Sequence, residues 1–486
     1  MCIVCDRRSL FHGAAGAGLL AMAGRTAVAQ PSAAPVAGLP VRGEYLIKGA
    51  ILISMDPAVG DVPDGAVHVR DGAIVQAGRD VAAPAAEVIA ADGAIIMPGL
   101  VETHWHMWNS LLRSMATDTR RYGYFPTSAQ LGAFYTPGDI YCGVRLATAE
   151  GINAGITCIH DWAHNLRSPA HADENVRALR EAGIRGRFSY GPARGIPVSQ
   201  ALDIADLRRM HRDWSRLAPD GLLQLGLAWR GVQYAVTAEN GAMAFQAVPR
   251  EVYQAEYDTA RDLGIPVTLH ANIGPKVDYG HVAKLDQLGL LYPGLQLIHM
   301  IASTPAEIDA VAKAGCSVSF SPYTEMRTGF GIPQPSLYLD KGVRVGLSVD
   351  TTTLSGDANM FEIMKGIQNG ENGLALSEFK MPARRVVEMG TIGGARSIGL
   401  DAVTGSITPG KRADLIVIDT GAVNLGMMTD PYEMIVGAAQ PANVSTVLVD
   451  GRILKRDGKL TAMDARRIVA DASAANVAVR KRAGWW

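Results

Sequence analysis

His104-Trp105-His106 is the stretch of this chain best placed to do chemistry. Successive strand side chains point to opposite faces, so two imidazoles two residues apart share one face. Both rings then aim at one point, the arrangement a divalent cation requires. The pair ends an apolar run, Ala94-Ile95-Ile96-Met97-Pro98-Gly99-Leu100-Val101-Glu102-Thr103, which reads as a buried strand and its exit. Further on, His160 with Asp161, His270, His299 and Asp350 each end another apolar run. One such group alone is more often a buried, hydrogen-bonded residue than a ligand. Five or more at the ends of successive strands are not independent, because one fold converges them, and jointly they read as a metal site.

Converging them needs a particular scaffold. Candidate strands cover 94–99, 156–160, 186–190, 223–228, 266–270, 295–299, 316–321 and 343–350, with helical stretches between. Several follow a helix ending at glycine, as in Leu263-Gly264-Ile265, Lys313-Ala314-Gly315 and Lys341-Gly342. Eight strand–helix repeats over about 300 residues predict an α/β fold, a (β/α)8 TIM barrel spanning 94–402, with its chemistry at the C-terminal strand ends. A doubly wound open sheet is the alternative; the count of eight and the lack of a glycine-rich first turn oppose it. Short alternating runs at 45–54, 66–70, 73–77 and 87–90 resume at 413–419 and 446–454, punctuated by Asp-Gly turns. They predict one small composite β-sandwich domain from both termini, 44–93 and 403–465, followed by a helical tail, 466–486.

Composition narrows the partners. The 48% apolar and 19% charged content is that of an ordinary globular protein, and 46 basic against 47 acidic residues give no polyanion footprint. Nucleic acid is excluded as a partner. Arg7-Arg8-Ser9-Leu10-Phe11 precedes a small-residue run from 13 to 23, and Ala27-Val28-Ala29 resembles a cleavage site. Residues 1–29 therefore read as a twin-arginine-type signal peptide, 30–43 as a flexible lead, and the mature protein as periplasmic or secreted. The run is too short and too rich in Gly and Ala to serve as a membrane anchor. Cys142, Cys158 and Cys316 remain after cleavage, an odd and scattered set without a disulfide framework.

Several segments together resemble the amidohydrolase superfamily, in its cytosine deaminase, atrazine chlorohydrolase and guanine deaminase-like branch. They are Met97-Pro98-Gly99-Leu100-Val101-Glu102-Thr103-His104-Trp105-His106, Ser110-Leu111-Leu112-Arg113 and Gly155-Ile156-Thr157. Val343-Arg344-Val345-Gly346-Leu347-Ser348-Val349-Asp350 and Gly405-Ser406-Ile407-Thr408-Pro409-Gly410-Lys411-Arg412-Ala413-Asp414-Leu415 continue the match, which runs from about residue 44 to about 455. The resemblance implies that His104, His106, His270 and Asp350 bind one divalent ion, usually zinc and in some members iron. It implies catalytic roles for Asp350, as the proton carrier between water and leaving group, and for His299, beside the oxygen that becomes anionic. It also implies a homodimer or larger homo-oligomer.

Two departures matter. Deaminating members usually carry a glutamate three residues after the fifth-strand histidine, and here Ile273 stands there. Many relatives also have a histidine after the fourth strand, where this chain reads Ala228-Trp229-Arg230-Gly231-Val232-Gln233-Tyr234. No lysine ends that strand, which opposes a binuclear site built on a carbamylated lysine. Leaving-group protonation then falls to Asp350, to His299, or to a loop acid, with Glu325 the best placed. Trp108, His164, Arg230 and Glu325 are the candidate substrate contacts, and Arg230 or Lys276 could receive a carboxylate. Trp105, Trp108, Tyr122, Tyr124, Phe125, Trp162 and Trp229 cluster near strand ends in a chain only 6% aromatic, which points to an apolar or aromatic small-molecule substrate. The expected activity is hydrolysis of an amide or cyclic amide-like carbon–nitrogen bond. The rivals are an aminohydrolase or dechlorinase acting on a heteroaromatic ring, and an inactive binding protein on the same fold.

Overall fold

The computed structural model describes residues 38–237, 243–276 and 280–485. The signal read over 1–29 and the start of the lead, 30–37, lie outside the described residues.

Eight parallel strands close into a barrel: Leu100–Trp105, Ile156–Ala163, Arg185–Tyr190, Leu223–Ala228, Val267–Ala271, Leu295–His299, Ser317–Phe320 and Arg344–Leu347. Their residues are almost all buried, as expected for strands covered on both faces. The outer helices start and stop on local signals. Pro137–Asn153 and Pro305–Ala314 each begin with a threonine capping box and a proline, and Pro305–Ala314 ends at Gly315 with φ 68°.

One expectation fails at the start of the barrel. The run 94–99 supplies Ile95–Pro98 to the flanking sheet instead, between Ile51-Leu52 and the antiparallel strand Leu415–Ile418. The first barrel strand begins at Leu100. The switch occurs at Pro98-Gly99, where the Gly99 N–H bonds to Asp414 O at 3.0 Å and a Cβ on Gly99 would sit 2.0 Å from Thr157 Oγ1. Only glycine lets the chain cross so closely over the second strand.

Strands from both ends of the chain form the flanking sheet, nine-stranded and joined edge to edge by hydrogen bonds. Its N-terminal members are Glu44–Ile53, Asp61–Arg70, Ala73–Gly78, Glu87–Ala90 and Ile95–Pro98; Leu415–Ile418, Val444–Val449, Arg452–Arg456 and Lys459–Leu460 complete it. A buried ion network ties this sheet to the barrel floor. Arg185 at the start of the third barrel strand donates to Asp414 at 2.5 Å, while Asp450 pairs with Arg42, Arg412 and Arg452. The terminal helix, Ala465–Arg482, packs on Pro137–Asn153.

Candidate metal centre and substrate cavity

The barrel delivers four donor atoms to one place. His104 ends the first strand, His106 follows it, His270 ends the fifth, and Asp350 lies just beyond the eighth. His104 Nε2 lies 3.1 Å from Asp350 Oδ1 and 3.2 Å from His270 Nε2. His106 Nε2 lies 3.2 Å from His270 Nε2 and 3.4 Å from Asp350 Oδ1. Ligands on a tetrahedral ion at ordinary zinc bond lengths stand ~3.4 Å apart, so these separations already fit one. Burial and the neighbouring histidines hold His106 and His270 well below the usual imidazole range, and burial lowers His104. Neutral rings with converging lone pairs are what a cation binds. The donor set fits a divalent metal.

Backbone contacts fix the ligands. His106 N–H donates to Asp350 O at 2.6 Å, and Asp350 N–H donates to His104 O at 3.1 Å. Behind them, Glu102 Oε1 accepts from the backbone N–H groups of His104 and Val349. Burial raises the Glu102 carboxyl well above the usual carboxylate range. Asp350 has φ 60°, a left-handed backbone that aspartate tolerates better than most residues.

Beside the cluster lies a cavity into which His106, His270 and Asp350 all open. Tyr124, Phe125, Trp162, Trp229, Phe245 and Phe330 contribute aromatic surface, and Ile273 stands in the wall. His299 lines the cavity with its ring stacked on His270 at 5.3 Å.

A model described as the amidohydrolase family matches residues 95–454. The chain is 30% identical to a 5'-deoxyadenosine deaminase of Methanosarcina barkeri, covering 89% of this chain and 97% of that protein. The chain belongs to the amidohydrolase family. A 5-methylthioadenosine/S-adenosylhomocysteine deaminase of Nitratidesulfovibrio vulgaris is 28% identical over 88% of this chain and 96% of its own. A zinc-bound structure described as an adenosine deaminase from Xanthomonas campestris matches at 24% identity and TM-score 0.78, covering 91% of this chain and 100% of that one. A zinc complex of atrazine chlorohydrolase from Arthrobacter aurescens TC1 matches at 20% identity and TM-score 0.76, with 89% and 100% covered. As an amidohydrolase the protein is a metal-dependent hydrolase of carbon–nitrogen bonds other than peptide bonds. A set of three imidazoles and one carboxylate suits zinc, the ion in both solved structures.

The four candidate substrate contacts of this amidohydrolase divide. His164 lines the cavity, its ring 4.3 Å from His106. Trp108 does not: it is 1% exposed, and its indole N–H donates to His164 Nδ1 at 3.2 Å. An indole only donates, so neutral His164 carries its proton on Nε2. Arg230 reaches the cavity wall but is committed to Glu256 and to the carbonyl of Gln200. Glu325 is fully buried behind His299, its Oε1 3.0 Å from His299 Nδ1 and accepting from Ser321 N–H at 2.9 Å. It orients a cavity residue and does not itself line the cavity. Lys276 is exposed and His160 is held between Thr103 O and Ser189 Oγ, so neither lines the cavity.

Sequence reasoning missed a second layer of the wall. The hairpin Gln233–Thr237 with Met243–Ala247 brings Tyr234, Met243 and Phe245 to the cavity, and the loop after the third strand brings Arg194. The one available signal for Arg194 was its place in Gly191-Pro192-Ala193-Arg194-Gly195, directly after a barrel strand.

Proposed function

We propose that the protein is an exported hydrolase that opens an amide or cyclic amide-like bond of an apolar or aromatic small molecule. One observation carries this reading. Among the described residues lining the cavity, Asp350 is the only carboxylate, and Ile273 occupies the place of the acid that ring deamination usually employs. An amide needs one proton carrier between water and leaving nitrogen, whereas a heteroaromatic amine also needs its ring nitrogen protonated.

His104, His106, His270 and Asp350 would hold the ion, which lowers the pKa of water and polarises the bond under attack. Asp350 takes the proton from water and passes it to the leaving nitrogen. His299, held by Glu325, donates from Nε2 to the oxygen that becomes anionic. That role requires the His299–Glu325 pair to hold one proton beyond the carboxylate form, which burial of Glu325 favours by raising its carboxyl above the usual range. The aromatic walls and Ile273 exclude bulk water and receive the apolar body of the substrate.

A second reading, removal of an amino group from a heteroaromatic ring, draws on the full-length match to proteins named as deaminases of adenosine-like compounds. A product assay separates the two. Zinc-loaded protein is offered aryl amides and cyclic imides on one side, and adenosine, cytosine and aminotriazines on the other. Amine or ring-opened acid from the first set is expected. Ammonia from the second set with no turnover of the first overturns the proposal. Export and homodimeric or larger assembly belong to the same proposal, tested by a reporter fused after residue 29 and by light scattering of the purified protein.

A further inference from the structure

Two arginines line the cavity, and their situations differ. Arg230 is neutralised by buried Glu256 and further held by the carbonyl oxygens of Gln200 and Pro197. Arg194 has no carboxylate within ion-pair distance among the described residues. Its guanidinium makes a single hydrogen bond there, from Nη2 to Ser128 Oγ at 3.1 Å. A guanidinium offers five N–H donors in a rigid fork suited to a carboxylate, so most of that capacity remains for a ligand.

Among the described residues the rest of the wall supplies no counter-charge to meet it. Among the described residues Asp350 is the only lining carboxylate, and it is drawn into the histidine cluster, with its Oδ1 3.1 Å from His104 Nε2. The neighbouring surface is aromatic: Tyr124, Phe125, Tyr234 and Phe245. A cation set among aromatic faces, partly shielded from water, attracts an anion far more than one on open surface.

We infer that the substrate carries an anionic group, a carboxylate, which the guanidinium of Arg194 receives while the aromatic walls hold the body of the molecule. The cavity thus selects an aromatic substrate bearing a carboxylate over its neutral analogues. Ser128 is 1% exposed and lies on Tyr124–Gly132, the helix that also supplies Tyr124 and Phe125. It anchors one arm of the fork of an arginine that lines the cavity. This inference rests on reading the cavity as the substrate site, and it holds whichever bond is cleaved.

Binding tests it separately from turnover. Trp162 and Trp229 line the cavity and provide a fluorescence signal for ligand entry. The probes are benzoate, phenylacetate and N-benzoylglycine, each paired with its primary amide and methyl ester, titrated into the zinc-loaded protein. At least one acid is expected to bind about ten-fold or more tightly than both neutral partners, as a bidentate charged contact provides. Arg194→Gln should remove that preference while leaving the neutral partners' affinities within about two-fold, and Arg194→Lys should restore part of it. Equal binding of acid and neutral partner throughout, no binding by any acid, or a preference that survives in Arg194→Gln overturns the inference. The product assay above can fail on its own, by ammonia release, without touching this result.

Discussion

His299 has one edge turned to Glu325 and one face laid on His270, so its orientation is set before any substrate arrives. Removing the titratable carboxyl of Glu325 should cost catalysis and spare the metal. Glu325→Gln is expected to lower kcat by roughly 10²-fold, the scale of a weakened proton-transfer group, with zinc content and melting temperature near those of the parent. Loss of zinc in that variant would instead make Glu325 a support of the ligand cluster. His104→Ala and Asp350→Ala should each lose bound metal by elemental analysis and fall to background activity. Retained metal and activity in both would remove the basis for the metal centre. The ligands were legible in the sequence because each is one residue at the end of an apolar run. The partners that hold Trp108 and Arg230 were not legible because they lie far away in sequence: His164 is 56 residues from Trp108, and Glu256 is 26 from Arg230. A side chain's type announces what it can do, and a distant partner decides whether it is already doing it.

The elements beneath the barrel carry buried charge. Asp414 accepts from Arg185 at 2.5 Å and from the Asp450 N–H at 2.7 Å, with both charged side chains buried. Asp414→Ala leaves the Arg185 guanidinium buried beside a reduced counter-charge, and a loss of about 3–5 kcal/mol is expected in denaturant unfolding. A loss under 1 kcal/mol would mean that Asp450 alone suffices. Lys455 makes a second link, its ammonium donating to Asn153 O at 2.6 Å at the end of a barrel helix. Burial lowers its pKa to about 8 from 10.5, so the unfolded chain binds the proton more tightly. Stability from this residue therefore rises as pH climbs from about 8 toward 10.5, and its unfavourable contribution is complete below that window. Subtracting the Lys455→Met profile from the parent's should isolate that slope; parallel profiles would contradict it. Periodicity located nearly every strand, yet it assigned 94–99 to the wrong sheet. A continuous apolar run does not reveal where the chain leaves one sheet for another, and the marker was the small residue Gly99, whose close approach to Thr157 exists only in three dimensions.

At the scale of the whole molecule, the barrel has a weak join. Most neighbouring strands share several registered pairs, but the first and eighth share only Leu347 opposite Glu102, followed by an isolated bridge between Trp105 and Asp350. The ligands His104, His106 and Asp350 sit at that join, two on one side and one on the other. A cation held there works as a clasp on a hoop. Stripping it with a chelator should lower the melting temperature by several degrees, as loss of any ligand bound tightly to the native state does, and zinc should restore it. The loosening should also be local. Amide hydrogens of His106, Val349 and Asp350 are expected to exchange faster with deuterium in the stripped protein, while those of Leu415–Ile418 in the flanking sheet keep their protection. The same four side chains would then decide both whether a bond is cut and whether the ring around it stays shut.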